Sequence, residues 1–224
     1  IMYHKFTETS MRKGVNGKPL GAILNHIAIG ETRGGHIFGA NGGTSTGGDD
    51  AGLVGDIGEV IIYGAGTITD YERKKVDSYL AIKYGITLPD TSSVITSNDV
   101  VIWDPNRNKS YYKNVAGIVH DVNSDLIQNQ SISANPGRQI IIGTTGLAEN
   151  NKANTVSLQA GQALVWGDNG EERNWNISIT KRDDELVNAR LATIWKVQNT
   201  GNVQTVRVTW PKNITNPYFI QSAD

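Results

Sequence analysis

Short apolar runs, each cut off by Gly, Asn, Asp, Ser or Thr, recur along most of the chain, and only one stretch carries a helical rhythm. The first part gives strand candidates at 1–6, 21–29, 36–38 and 53–63. In the last of these Val60, Ile61, Ile62 and Tyr63 are β-branched or aromatic, which suits a pleated, largely buried strand, and Gly64 and Gly66 break it. Asn16-Gly17 between the first two candidates is a type I′ hairpin signal. The Gly-, Thr-, Ser- and Asp-rich tract 39–52 reads as an exposed loop, either a connection or part of a binding edge.

The helical stretch starts at Thr69, with Glu72 three residues on as a capping box. It stops where Gly85 can take the left-handed conformation and Pro89 forbids continuation. Val76, Leu80 and Tyr84 recur at spacing four with Tyr79 beside them, and predict the buried stripe. Glu72, Arg73, Lys74, Lys75 and Asp77 fill the wet face.

Beyond the helix, strands are predicted at 100–103, 115–119, 131–133, 139–142, 155–158, 163–166, 175–180, 191–198, 203–210 and 218–221. Within 203–210, Val203, Thr205, Arg207 and Thr209 alternate with Gln204, Val206, Val208 and Trp210, so one face can enter a core. Many short strands at turn-punctuated intervals imply a β-sandwich. The polar run 89–93 marks a boundary, giving one unit at 1–89 and a second at 90–224. No repeat of 20 to 50 residues is evident.

Composition narrows the picture. A chain of 224 residues makes one large or two medium domains, and 25 Gly with 19% charged residues fits a turn-rich all-β protein. A net charge of -1 gives no electrostatic reason to expect nucleic acid or an anionic membrane as partner. No apolar run approaches the roughly 20 residues that span a bilayer, and no signal peptide precedes the first strand. The opening at Ile1 and the end at Asp224 read as those of a fragment. The absence of Cys removes thiol catalysis and thiolate metal sites, and suits a bacterial surface protein relying on cores and bound ions. His4, His26, His36 and His120 are scattered without ligand spacing.

Gly55-Asp56-Ile57-Gly58-Glu59-Val60-Ile61-Ile62-Tyr63, followed by Glu72, Lys75-Val76 and Ser78-Tyr79-Leu80-Ala81-Ile82-Lys83-Tyr84-Gly85-Ile86-Thr87-Leu88, resembles the end of concanavalin-A-like, laminin-G-type jelly rolls in large secreted proteins of Bacteroidota. Trp103-Asp104, Asn114 to Ile118, Leu126 to Ser131, Leu164 to Gly170 and Ile194 to Val197 are similar to the β-sandwich module that follows it there. The resemblance implies an all-β chain: a partial jelly roll with one closing α-helix, then a second β-sandwich domain. It also implies a long adhesin or spacer at the bacterial cell surface, exported by the type IX system and serving attachment or gliding. Its partners would be a glycan or cell-surface receptor, other domains of the same chain, and secretion or outer-membrane attachment machinery. A complete jelly roll needs roughly as much sequence again before Ile1.

Catalytic chemistry finds little footing. Glycosidases pair two carboxylates, but Glu59 is followed by Val60, Ile61, Ile62 and Tyr63, so no second carboxylate shares its strand face. The expectation is a noncatalytic module. Asp183-Asp184-Glu185 reads as a solvated hairpin tip. Asp121, Asn123 and Asp125 have the spacing of an EF-hand start, yet Leu126 and Ile132 stand where its Gly and bidentate Glu belong. Asp49, Asp50 and Asp56 could join a calcium site, the alternative being that Asp56 caps its own loop. Trp166 and Trp175 are either core residues or a stacking platform for a sugar, with Asp168 and Asn169 of the intervening turn as candidate ligand contacts. Carbohydrate binding in a polysaccharide-processing protein is therefore the alternative to adhesion. Trp103, Trp195 and Trp210 neighbour apolar strand residues and read as core.

Overall fold

A computed structural model describes residues 1–6, 10–25, 55–64, 68–137, 140–172, 174, 177–178, 189–210 and 221. Among them the fold is all-β with a single α-helix. The chain opens as an antiparallel meander of β1 (Met2–Phe6), β2 (Ser10–Val15) and β3 (Lys18–Asn25). Asn16 and Gly17 link β2 to β3 with φ of 48° and 81°, the doubly positive pair that a type I′ turn demands. The hairpin signal thus joins different strands from those expected, because β2 lies between them.

Helix α1 (Asp70–Tyr84) has both hydrogen bonds of the capping box: the Glu72 amide donates to Thr69 Oγ1 and the Thr69 amide to Glu72 Oε2. Gly85 ends it in the left-handed region at φ 64°, where a Cβ would collide with the Ile132 carbonyl oxygen. The buried stripe differs from the predicted one. Asp77, Ser78, Ala81 and Ile82 face inward, whereas Val76, Tyr79 and Leu80 are half-buried and Tyr84 is exposed. Small side chains decide this: Ser78 Oγ accepts from the Ile95 amide, drawing the helix against β4 (Val94–Ile95), which pairs with β5 (Val101–Trp103).

The centre is an antiparallel sheet in the order β13 (Trp195–Thr200), β10 (Ala163–Asp168), β6 (Lys113–Asp121), β7 (Leu126–Gln128). Alternating side chains send Val115, Val119, Ala163 and Val165 to one face, where they pack with Ala81, Ile82, Leu88, Val94, Ile102, Trp103 and Leu126. Gly117 lies between Val115 and Val119, and the space its missing side chain leaves is taken by Val165 and Ile82. Ala116, Ile118, Leu164 and Trp166 point the other way, against Ile140, Ile142, Leu158 and Val203. That second core is covered by a three-stranded sheet in the order β14 (Arg207–Thr209), β9 (Ile141–Gly143), β8 (Gln130–Ser131). The central sheet is therefore a middle layer, buried on both faces. β11 (Ile177–Ser178) and β12 (Ala189–Arg190) form a separate ladder.

Apolar contacts cross the expected 89/90 junction, since Ala81, Ile82 and Leu88 share a core with strands that lie after it. Residues 55–64 form no strand, and Ile57, Val60, Ile61, Ile62 and Tyr63 are exposed, which corrects the expectation of a buried strand there. Residues 155–158 likewise form none: Val156 is exposed while Leu158 alone enters the second core. The candidates at 36–38 and most of 218–221 lie outside the described residues.

Candidate functional site

β10 carries the sequence-predicted ligand residues into a turn. Trp166 is 1% exposed, with its ring in the second core. It offers no face to a sugar: the Trp166 indole is a packing residue, worth roughly 1.5–3 kcal/mol by burial. Asp168, also 1% exposed, accepts from the Gly170 amide through Oδ1 (2.9 Å) and from the Asn114 side-chain amide through Oδ2 (2.7 Å). Asn135 extends this network by donating to Asn114 Oδ1 and Thr87 Oγ1, and Thr87 Oγ1 also accepts from the Val115 amide. A buried carboxylate held by fixed donors braces the end of the central sheet.

Asn169 is engaged as well. Its Oδ1 accepts from the Ile194 amide at 3.0 Å, and its Nδ2 donates to the Ala192 carbonyl at 3.1 Å, tying the turn to the chain entering β13. Both turn residues are thus bonded within the protein, Asp168 to the Gly170 amide and the Asn114 side chain, and Asn169 to the backbone at 192 and 194. Trp175 lies outside the described residues. Trp195 and Trp210, expected in the core, are half-buried at its rim, with ring centroids 6.2 Å apart and planes tilted by 51°.

Of the three proposed calcium ligands, Asp49 and Asp50 lie outside the described residues and Asp56 is exposed. Among the described residues no group of three or more His, Asp and Glu could hold a metal ion. Asp121, the first residue of the EF-hand-like run, is buried and accepts from both the amide and the hydroxyl of Ser97. It anchors a neighbouring turn.

One polar cluster escaped the sequence reading. Glu59, expected within a strand, accepts from Lys83 Nζ at 2.8 Å, from the Tyr79 hydroxyl at 3.1 Å and from the Tyr84 hydroxyl at 3.2 Å. Lys83 Nζ in turn donates to the Tyr79 oxygen at 2.6 Å. Burial pushes the Glu59 carboxyl up, but hydrogen bonds from Lys83, Tyr79 and Tyr84 outweigh it and hold the group below its usual 4.5. The Glu59 and Tyr79 hydrogen bonds raise Lys83 above its ordinary 10.5, so it stays a cation. Tyr79 and Lys83 stand at i and i+4 on one helix face, a signal the sequence carried, but nothing local named Glu59 as their partner.

A second ion pair lies towards the start of α1. Arg73 donates to Asp77 Oδ2 at 2.6 Å while its guanidinium stacks 4.3 Å over the Tyr3 ring, joining helix to meander. Burial raises the Asp77 carboxyl above its ordinary value against the opposing pull of Arg73.

The family model described as Domain of unknown function (DUF8202) matches residues 72–224, from the first turn of α1 through both cores. No curated protein and no solved structure matches the chain.

Proposed function

The chain belongs to the DUF8202 family, and we propose that it is a noncatalytic module of a large secreted or cell-surface bacterial protein, acting in adhesion or as a spacer. One observation carries this reading. The polar side chains at the end of the central sheet, Asp168, Asn169, Asn114 and Asn135, are bonded to one another and to backbone, in a layered core buried on both faces of its middle sheet. Such a body resists deformation and presents its loops, which is what a rod of linked modules requires.

A second reading, carbohydrate binding, draws on the half-buried Trp195 and Trp210 pair, since indole faces at a core rim can stack on a pyranose. One assay separates the possibilities. The purified chain is incubated with a panel of polysaccharides, scoring both retention and release of reducing ends. The spacer reading expects neither. Retention abolished by Trp195→Ala selects the second reading, and release that disappears when one of the chain's own carboxylates is neutralised overturns the noncatalytic proposal. Calcium, a surface receptor and export machinery stay proposals on the same footing, with calorimetric titration of the ion as the test for the first.

A further inference from the structure

Residues 55–64 are neither helix nor strand, yet they lie against α1. Their apolar side chains contribute little to holding them there: Ile57, Val60, Ile61, Ile62 and Tyr63 are 39–64% exposed. Three donors of the helix converge instead on one carboxylate, Glu59, which is 22% exposed at its side chain. The neighbouring Gly58 backbone sits so close to Tyr84 that a Cβ there would stand 3.1–3.2 Å from its ring and hydroxyl. The aromatic rings that donate to Glu59 also flank Lys83, whose ammonium lies 5.0 Å from the Tyr79 centroid and 5.7 Å from that of Tyr84.

We propose that residues 55–64 form a strap latched to α1 through the Glu59 carboxylate, and that removing its charge releases the strap while the helix stays in place. The asymmetry of anchoring supports this. α1 is fixed to the body by Ser78, Ala81 and Ile82 on its buried face and by the Tyr79 ring, which packs against the first core; the strap meets only the Tyr79 hydroxyl, Lys83 and Tyr84. The latch can therefore open without disturbing the core. Release frees an apolar segment and uncovers a Tyr–Lys–Tyr face of the helix.

The pH window follows from the groups facing Glu59. Its folded value lies below 4.5, so the latch is intact above that and is lost as pH falls through the lowered value. Lys83 lies above 10.5 in the folded chain, so its contribution is complete below 10.5 and is lost only as pH rises through the higher value. Between these limits the latch stays shut, and release at neutral pH requires something that competes for the carboxylate or for Lys83.

Backbone ¹⁵N relaxation on Glu59→Gln tests this. At pH 7 the wild-type order parameters of residues 57–63 are expected to match those of α1. In the variant they fall below about 0.6, the range of flexible backbone, while α1 keeps its own values. Lys83→Met, which leaves Glu59 charged but removes its cation, should give the same pattern. Wild type should follow once the pH has fallen through the lowered value of the Glu59 carboxyl. Unchanged order in Glu59→Gln overturns the proposal; so does loss of order throughout α1, since Glu59 would then belong to the core of the fold.

Discussion

Two four-residue runs, Val60-Ile61-Ile62-Tyr63 and Ala163-Leu164-Val165-Trp166, look alike on paper and end in opposite places. Each is apolar and followed by Gly, and the first is the richer in β-branched residues. The second is 0, 6, 0 and 1% exposed along its length, and the first 46, 39, 64 and 48%. The difference is in their neighbours. β10 is hydrogen-bonded to β6 on one side and β13 on the other, with Val165 facing the helix layer and Trp166 the β8–β9–β14 layer. Among the described residues the 60–63 run enters no ladder and neither core, and the polar Glu59 beside it makes the attachment. β-propensity measures how well a residue suits a half-buried pleated surface; it does not supply that surface.

The largest expected effect lies in the buried run. Trp166→Ala removes a fully enclosed indole and leaves a cavity among Ile118, Ile142 and Val203, at a cost of about 3–5 kcal/mol. In a chain of this size that lowers the melting temperature by roughly 6–20 °C. Thermal unfolding followed by circular dichroism reads it. A loss under about 1 kcal/mol would mean that Trp166 is not the core residue its burial indicates.

Asp168→Ala comes next, at about 1–3 kcal/mol, because the buried Asp168 side chain is removed and the Gly170 amide and the Asn114 side-chain amide lose their acceptor in two part-buried hydrogen bonds. Denaturant unfolding gives the number. This variant sharpens the comparison, since it asks whether the end of β10 is held by packing alone. A neutral result, with any glycan retention lost, would return Asp168 to the role of ligand contact.

What the sequence made legible is local in origin. The capping box at Thr69 and Glu72, the left-handed Gly85 and the Asn16-Gly17 turn depend on residues within four positions of one another, and each forms, although the turn joins β2 to β3 and not the two strands expected. The strand of 163–166 was legible as an apolar run, but the same signal at 60–63 met no covering layers, so the run alone did not decide burial. The inward face of α1 was not, because it is set by a distant contact: Ser78 receives the Ile95 amide and Gly117 makes room for Ile82. The candidate site fared likewise. Its turn was visible in Trp166-Gly167-Asp168-Asn169-Gly170, but the partners that satisfy Asp168 and Asn169 come from Asn114, Ala192 and Ile194. A turn-forming sequence and a ligand-binding sequence use the same polar residues, and only the long-range partners tell them apart.

The smallest expected effect is the most direct check on the exposed run. Ile62→Ser removes a branched aliphatic side chain of the kind that is costly to lose from a core, yet Ile62 is 64% exposed and lies in neither core cluster. The stability obtained from thermal and denaturant unfolding should stay within about 0.5 kcal/mol of wild type, as for a surface substitution away from any special contact. The result has a defined opposite. A loss of about 2 kcal/mol or more would be the cost of a core truncation, and would place the 60–63 run in a buried strand, as its β-branched sequence suggests. Near-neutrality, set beside the Trp166→Ala loss, would show that equivalent apolar patterns in one chain differ in stability by several kcal/mol according to the layers that cover them.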